Sequence, residues 1–82
     1  MNNMRIDKFL KVSRLIKRRT VAAEACDDGR VKVNGNVVKP SVKVKVGDVI
    51  EITFGDRQVS ARVLELKETT KKDEAAGMYE LL

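Results

Sequence analysis

The chain has 82 residues, with 17 Lys and Arg against 12 Asp and Glu, and a net charge of +5. This length fits one small domain, and a hydrophobic content of 43% is typical of a folded chain rather than a disordered basic tail. The absence of histidine and the presence of one cysteine, Cys26, exclude an internal disulfide, histidine-based catalytic triads and the usual zinc sites, so we expect a binding protein rather than an enzyme.

Two short helices are predicted in the N-terminal half. The first runs from Asp7 to Ile16, because apolar or small residues recur there at the three- and four-residue spacing of a buried helix face: Ile6, Phe9, Leu10, Ser13 and Ile16. After a connector, Lys17-Arg18-Arg19, the second helix spans about Thr20 to Asp28. Its narrow apolar face consists of Val21, Ala22, Ala25 and Cys26, which makes Cys26 a buried small hydrophobe. Gly29 follows at the position of a left-handed helix cap.

The periodicity changes to two after Gly29, which indicates β-structure. Val31 and Val33 are expected to face inward, and Asn34-Gly35 is a strong hairpin signal because both turn positions favour positive φ. The segment Val42 to Val46 alternates valine with Lys43 and Lys45, which predicts an edge segment remote from the helices.

A second hairpin is predicted further along the chain. Its first strand is Val49 to Phe54, with Ile50, Ile52 and Phe54 inward. Gly55-Asp56 forms the turn, and Gln58 to Leu66 returns. Asp73 to Leu82 is predicted as a short C-terminal helix with Met78, Leu81 and Leu82 on its apolar side.

The predicted fold is therefore α+β, with two short N-terminal helices packed on a small antiparallel sheet. The predicted domain covers residues 1–66, and residues 67–82 form a C-terminal tail that is helical in part. We expect a monomer that needs no metal or other cofactor.

Positive charge is concentrated near the N-terminus. Residues 1–41 carry ten basic and four acidic side chains, whereas residues 42–82 carry seven and eight. Such a basic face attracts polyanions, although a solvated helix face is the simpler alternative. Phe9 and Phe54 are predicted to be buried, so we expect RNA binding through phosphate contacts and shape rather than base stacking. The candidate RNA-binding residues are Arg5, Lys8, Lys11, Arg14, Lys17, Arg18, Arg19, Arg30, Lys32 and Lys39.

Several motifs within residues 4–54 resemble the S4 RNA-binding domain. They are Arg5-Ile6-Asp7-Lys8-Phe9-Leu10, then Arg19-x-x-Ala22-x-x-Ala25-Cys26-x-x-Gly29-x-Val31-x-Val33-Asn34-Gly35, Lys39-Pro40 and Val46-Gly47-Asp48. The runs Arg5 to Thr20 and Thr69 to Ala76 resemble the stand-alone S4 factors of bacterial ribosome-associated quality control. Arg18 departs from the wider pattern, which often has a serine helix cap there. The family's usual Met-Arg start corresponds to Met4-Arg5, which makes Met4 an alternative start.

The resemblance implies a cytoplasmic factor that binds obstructed large ribosomal subunits. It implies contacts with peptidyl-tRNA and large-subunit rRNA, and cooperation with a tRNA-recruiting factor that adds C-terminal alanine tails to stalled chains. Arg5 and Arg19 match the family's RNA-contacting arginines. No apolar run approaches the roughly 18 residues of a membrane span, so no membrane partner is expected.

Three alternatives remain open at this stage. The basic face could bind an acidic protein, which would make the chain a protein–protein adaptor. The chain could be a module of an RNA-modifying enzyme without activity of its own. It could also be a heat-shock-type protein that binds ribosomes or tRNA and has no role in tailing.

Overall fold

The computed structural model describes residues 3–68 and 71–82. Along the chain it contains β1 (Met4–Arg5), α1 (Ile6–Val12), α2 (Arg19–Asp27), β2 (Val31–Val33), β3 (Asn36–Val37), β4 (Lys43–Val44), β5 (Val49–Phe54), β6 (Arg57–Val63), α3 (Lys72–Ala75), a 3₁₀ turn (Ala76–Met78) and β7 (Tyr79–Leu81). Within the predicted tail, Thr69 and Thr70 lie outside the described residues, as do Met1 and Asn2 at the start.

The strands form two antiparallel sheets. The larger has the order β3-β2-β5-β6-β7, and the smaller pairs β1 with β4. Helices α1 and α2 pack together, and their apolar side chains share one core with the inner face of the larger sheet. The side chains of Ile6, Phe9, Leu10, Val31 and Ile50 are fully buried there. The predicted α+β fold is confirmed.

Helix α1 has the predicted buried face but is shorter than predicted. Phe9, Leu10, Ser13 and Ile16 are all buried, yet the helix ends at Val12 rather than Ile16. Arg14 adopts a left-handed conformation with φ of 67°, and its N–H donates to the carbonyl of Lys11. A left-handed residue ends a helix as glycine usually does, and spacing alone does not reveal that an arginine does so here.

Helix α2 begins at Arg19, one residue before the predicted start, and Arg18 provides no side-chain cap. Ala22, Ala25 and Cys26 are buried as predicted, but Val21 is 45% exposed, so its assignment to the buried face was wrong. Gly29 has a φ of 76°, which confirms the left-handed turn predicted after the helix.

Both predicted hairpins are present. Asn34 and Gly35 have φ values of 52° and 87°, as a two-residue turn between β2 and β3 requires. Strand β5 has its predicted bounds and pairs with β6 around Gly55-Asp56. Strand β6 ends at Val63 rather than Leu66, so the return strand is shorter than predicted.

Two side-chain placements near these strands were predicted wrongly. Phe54 is 39% exposed because it ends β5 beside the turn, beyond the inward residues Ile50 and Ile52. Its predicted burial therefore cannot be used to exclude base stacking at this side chain. Lys43 belongs to a strand that pairs with β1, and its register partner is Arg5. The segment is therefore not remote from the helical face.

The predicted short C-terminal helix is present, but it ends at Met78 and does not extend to Leu82. One helical turn, α3, and the 3₁₀ turn occupy residues 72–78, and β7 then pairs with β6. Met78 is fully buried, whereas Leu81 and Leu82 are about 60% exposed. The open edge of β6 offers backbone partners that a local sequence pattern does not reveal.

Candidate RNA interface

A buried carboxylate joins two arginines at the start of the helical region. The Asp7 side chain is 5% exposed, whereas those of Arg5 and Arg19 are 47% and 46% exposed. Arg5 donates through Nε to Oδ1 at 3.2 Å and through Nη2 to Oδ2 at 3.1 Å. Arg19 Nη2 donates to Oδ1 at 3.3 Å, and the backbone N–H of Lys8 donates to the same oxygen at 2.7 Å. We call Arg5, Asp7 and Arg19 the arginine pair site.

Three separate elements hold this site in place. Arg5 lies in β1, where the strand pairs with β4. Asp7 lies in the first turn of α1, and its N–H donates to the carbonyl of Pro40 at 3.3 Å. Arg19 is the first residue of α2. The site therefore depends on the packing of both helices and of the segment around Pro40. It forms only when segments that are separated in the sequence come together.

The arginine pair site keeps a net positive charge that faces solvent. Two guanidinium groups outweigh one carboxylate, which leaves +1. A guanidinium has five N–H donors, and the bonds to Asp7 take two from Arg5 and one from Arg19. The remaining donors of these half-exposed side chains have the planar geometry that binds phosphate in a bidentate manner.

The other predicted RNA-binding residues surround this site unevenly. Lys39 is exposed and precedes Pro40, so it lies beside the start of α1. Lys8 is half-buried and ion-paired with Glu68, and Arg30 pairs with Asp28 at 3.0 Å. The other exposed cations of the helical region are Lys11 in α1 and Arg14, Lys17 and Arg18 between α1 and α2.

Lys32 differs from these residues in its orientation. In β2 it alternates with the buried Val31 and Val33, so its side chain lies on the outer face of the sheet. Its register partner there is Glu51. Lys32 thus faces away from the core on which the helices pack, and the structure does not bring it together with the arginine pair site.

Two residues of this region were missed by sequence reasoning. Lys43 is directly opposite Arg5 in the register of β1 and β4, at the distance where side chains on paired strands interact. Two-residue strands carry no periodicity that could have revealed this pairing. Asp7 was not among the candidate RNA-binding residues. Its position as the one acid among seven basic residues from Arg5 to Arg19 was the available signal.

Cys26 is buried, as the sequence predicted. Burial, with the negative charges of Asp7 and Asp27, raises the pKa of the Cys26 thiol to about 11. A thiol with this pKa is protonated near neutral pH and is a poor nucleophile. Within residues 3–68 and 71–82, no group of three or more potential metal ligands comes together. The same residues include no helix with the length and apolar character needed to cross a bilayer.

Comparisons with known proteins agree with this architecture. The S4 domain family model matches residues 4–50. The chain is 58% identical over 79 residues to the "RQC P-site tRNA stabilizing factor" of Streptococcus pneumoniae, covering 96% of this chain and 90% of that protein. It is 60% identical to the protein of the same name from Bacillus subtilis, with 96% and 92% covered.

The fold also matches a solved structure. The trimeric structure of heat shock protein 15 from Vibrio cholerae superposes with a TM-score of 0.90 at 27% identity, covering 98% of this chain and 82% of the other. The family match covers more than half of the chain, and the two bacterial relatives match almost end to end. The chain therefore belongs to the S4 domain family and, within it, to the family of the RQC P-site tRNA stabilizing factors.

Proposed function

We propose that this protein binds obstructed large ribosomal subunits and holds the P-site peptidyl-tRNA during bacterial ribosome-associated quality control. It contacts tRNA and rRNA through the basic face centred on the arginine pair site. By holding the tRNA between successive additions, it supports the alanine tailing carried out with a tRNA-recruiting factor. The names of the relatives support the tRNA-binding role.

The observation that carries the proposal is the placement of Arg5 and Arg19. They are remote in the sequence, yet both contact Asp7 and both keep about half of their side chains exposed. Paired, preordered guanidinium groups suit phosphates at fixed positions on a structured RNA. The chain acts as a binding factor and not an enzyme, a role supported by the absence of histidine from the sequence.

The test combines binding with tailing. We expect Arg19→Ala to weaken co-sedimentation with large subunits that carry peptidyl-tRNA by about tenfold or more, since a hydrogen bond to a charged group contributes roughly 1.5–3 kcal/mol. Tails on a stalled reporter chain should become shorter or disappear. Lys45→Ala is the matched control, because Lys45 is exposed and lies outside the predicted site; its binding should change less than twofold.

Two outcomes would contradict the proposal. Equal losses for Arg19→Ala and Lys45→Ala would mean that bulk charge, not a docked surface, drives association. Binding that survives nuclease digestion of the RNA would identify a protein–protein adaptor.

A second function is favoured by the close match to the fold of heat shock protein 15. In that case the protein binds the subunit without a role in tailing. Loss of binding by Arg19→Ala with unchanged tails would then be observed.

A further inference from the structure

The arginine pair site contains a charge that opposes the proposed ligand. Asp7 is an acid within the most basic stretch of the chain, and Arg5 and Arg19 both pair with its carboxylate. Considered only as a charge, Asp7 lowers the attraction for phosphate, because it cancels one of the nearby positive charges. For Asp7 to favour phosphate binding, another effect of this side chain must outweigh the loss of electrostatic attraction.

The geometry of the hydrogen bonds supplies such a contribution. Arg5 meets the carboxylate side by side through Nε and Nη2, which fixes the plane of its guanidinium. Arg19 meets Oδ1 from the other helix and is restrained through the same group. A free arginine side chain has roughly 2 kcal/mol of rotamer entropy, part of which is lost whenever it binds. Arginines that are ordered before the ligand arrives avoid part of this loss.

The burial of Asp7 makes the arrangement rigid. Its carboxylate is 5% exposed and also accepts the N–H of Lys8 at 2.7 Å. The carboxylate is therefore held against the backbone of α1. The two guanidinium groups that bind it are thus fixed relative to the fold and not only to each other.

We propose that Asp7 is a positioning residue that presents the guanidinium groups of Arg5 and Arg19 as one preordered phosphate-binding unit. This inference rests on the proposed RNA-binding function. It explains why the protein would recognise phosphates at fixed positions on the RNA. Asp7 itself does not touch the RNA.

Positioning and simple charge predict opposite signs for one substitution. Asp7→Asn keeps the size of the side chain and adds one unit of positive charge to the protein. If Asp7 acts only through its charge, binding to peptidyl-tRNA-obstructed large subunits becomes tighter. If it positions the arginines, we expect binding about fivefold or more weaker, because both guanidinium groups lose their fixed partner.

The matched control is Asp28→Asn. Asp28 also pairs with an arginine, Arg30, but the pair is exposed, with Asp28 at 62%. A surface pair of this kind restrains its partners weakly, so binding should stay within twofold of the unchanged protein or become tighter. Tighter or equal binding by Asp7→Asn, or an equal loss for Asp28→Asn, would overturn the proposal.

A direct readout follows the side chain of Arg5. In the unchanged protein its Nε–H donates to Asp7, so exchange of this proton with water should be slow in ¹⁵N NMR spectra. We expect exchange to be about fivefold or more faster in Asp7→Asn. An unchanged exchange rate in a folded variant would show that Asp7 does not restrain Arg5.

A second pair of variants serves if Asp7→Asn fails to fold. Arg5→Lys and Arg19→Lys preserve the charge but remove the planar fork, so positioning predicts weaker binding for both, and binding equal to the unchanged protein contradicts it. A different result would contradict the proposed function itself, namely that neither Arg5→Ala nor Arg19→Ala weakens binding.

Discussion

Asp7 and Asp48 are the two acidic residues that the described part of the chain buries, with 4% and 7% of the whole residue exposed, and the partners of their carboxylates differ in kind. Asp7 is held by two half-exposed arginines. Asp48 accepts from the side-chain amide of Asn34 at 3.1 Å and from the backbone N–H of Lys45 at 3.0 Å. One carboxylate thus orders charges that reach solvent, and the other orders two turns.

The two carboxylates therefore differ in what they hold in place. The partners of Asp48 are a neutral amide and a backbone group, and Asn34 in turn accepts the N–H of Val49 at 3.0 Å. This network connects the left-handed turn at Asn34-Gly35 to the turn before β5. We therefore expect different effects when each carboxylate is removed. Loss of the Asp48 carboxylate should lower the free energy of unfolding, and loss of the Asp7 carboxylate should lower the affinity for RNA.

The largest effect on stability should come from Asp48→Ala. It leaves two donors without their acceptor, and we expect the free energy of unfolding to fall by about 2–3 kcal/mol in urea titrations. For a domain of this size the melting temperature should fall by roughly 10–20 °C. Asp56→Ala, at an exposed turn, is the control and should stay within about 0.5 kcal/mol.

RNA affinity of the folded Asp48→Ala protein should be unchanged well below its melting temperature. If its affinity for large subunits falls as far as that of Arg19→Ala, the separation between the two carboxylates is wrong.

A smaller effect is expected in the salt dependence of Arg5→Ala. If about four to six basic side chains each neutralise a phosphate, the slope of log K against log salt is about −3 to −5, and losing one contact reduces it by roughly one unit. The fold should remain, because Arg19 and the N–H of Lys8 still bind Asp7. A slope unchanged by Arg5→Ala would mean that Arg5 makes no ionic contact with the RNA.

An effect confined to high pH is expected through Cys26. Its pKa of about 11 in the folded protein lies above its ordinary value of 9.0. The unfolded chain therefore loses this proton first. Stability attributable to the protonated thiol is fully present below about pH 9 and is lost as the pH rises toward 11.

Cys26→Ala should flatten this part of the stability profile, measured by urea titration from pH 8 to 11. Asp7→Asn should lower the pKa of Cys26, because one of the charges that raise it is removed. An identical alkaline slope in the unchanged protein and Cys26→Ala would show that other groups cause it.

The features that the sequence predicted well are those with a local cause. The buried face of α1 follows from its spacing, and the turn at Asn34-Gly35 follows from backbone preferences. The basic face could be predicted because charge is visible in the sequence. Nine of the ten candidate RNA-binding residues are exposed, but Lys32 lies away from the others on the outer face of the sheet, and the contact of all ten with RNA stays a prediction.

The features that the sequence missed depend on long-range pairing. Strand β1 exists because β4 lies beside it, and β7 exists because β6 has an open edge. Neither strand exceeds three residues, too few for a period to be recognised. The contact between Asp7 and Arg19 was missed for the same reason, since Arg19 reaches Asp7 only after α1 and α2 have packed.

The left-handed conformation of Arg14 sets two demands against each other at one position. At a φ of 67° a side chain costs about 1–2 kcal/mol that glycine does not. Selection for thermal stability alone would favour glycine here, whereas selection for affinity toward a polyanion favours the exposed cation. Under the proposed function, a more stable scaffold and a tighter RNA binder therefore need different residues at position 14.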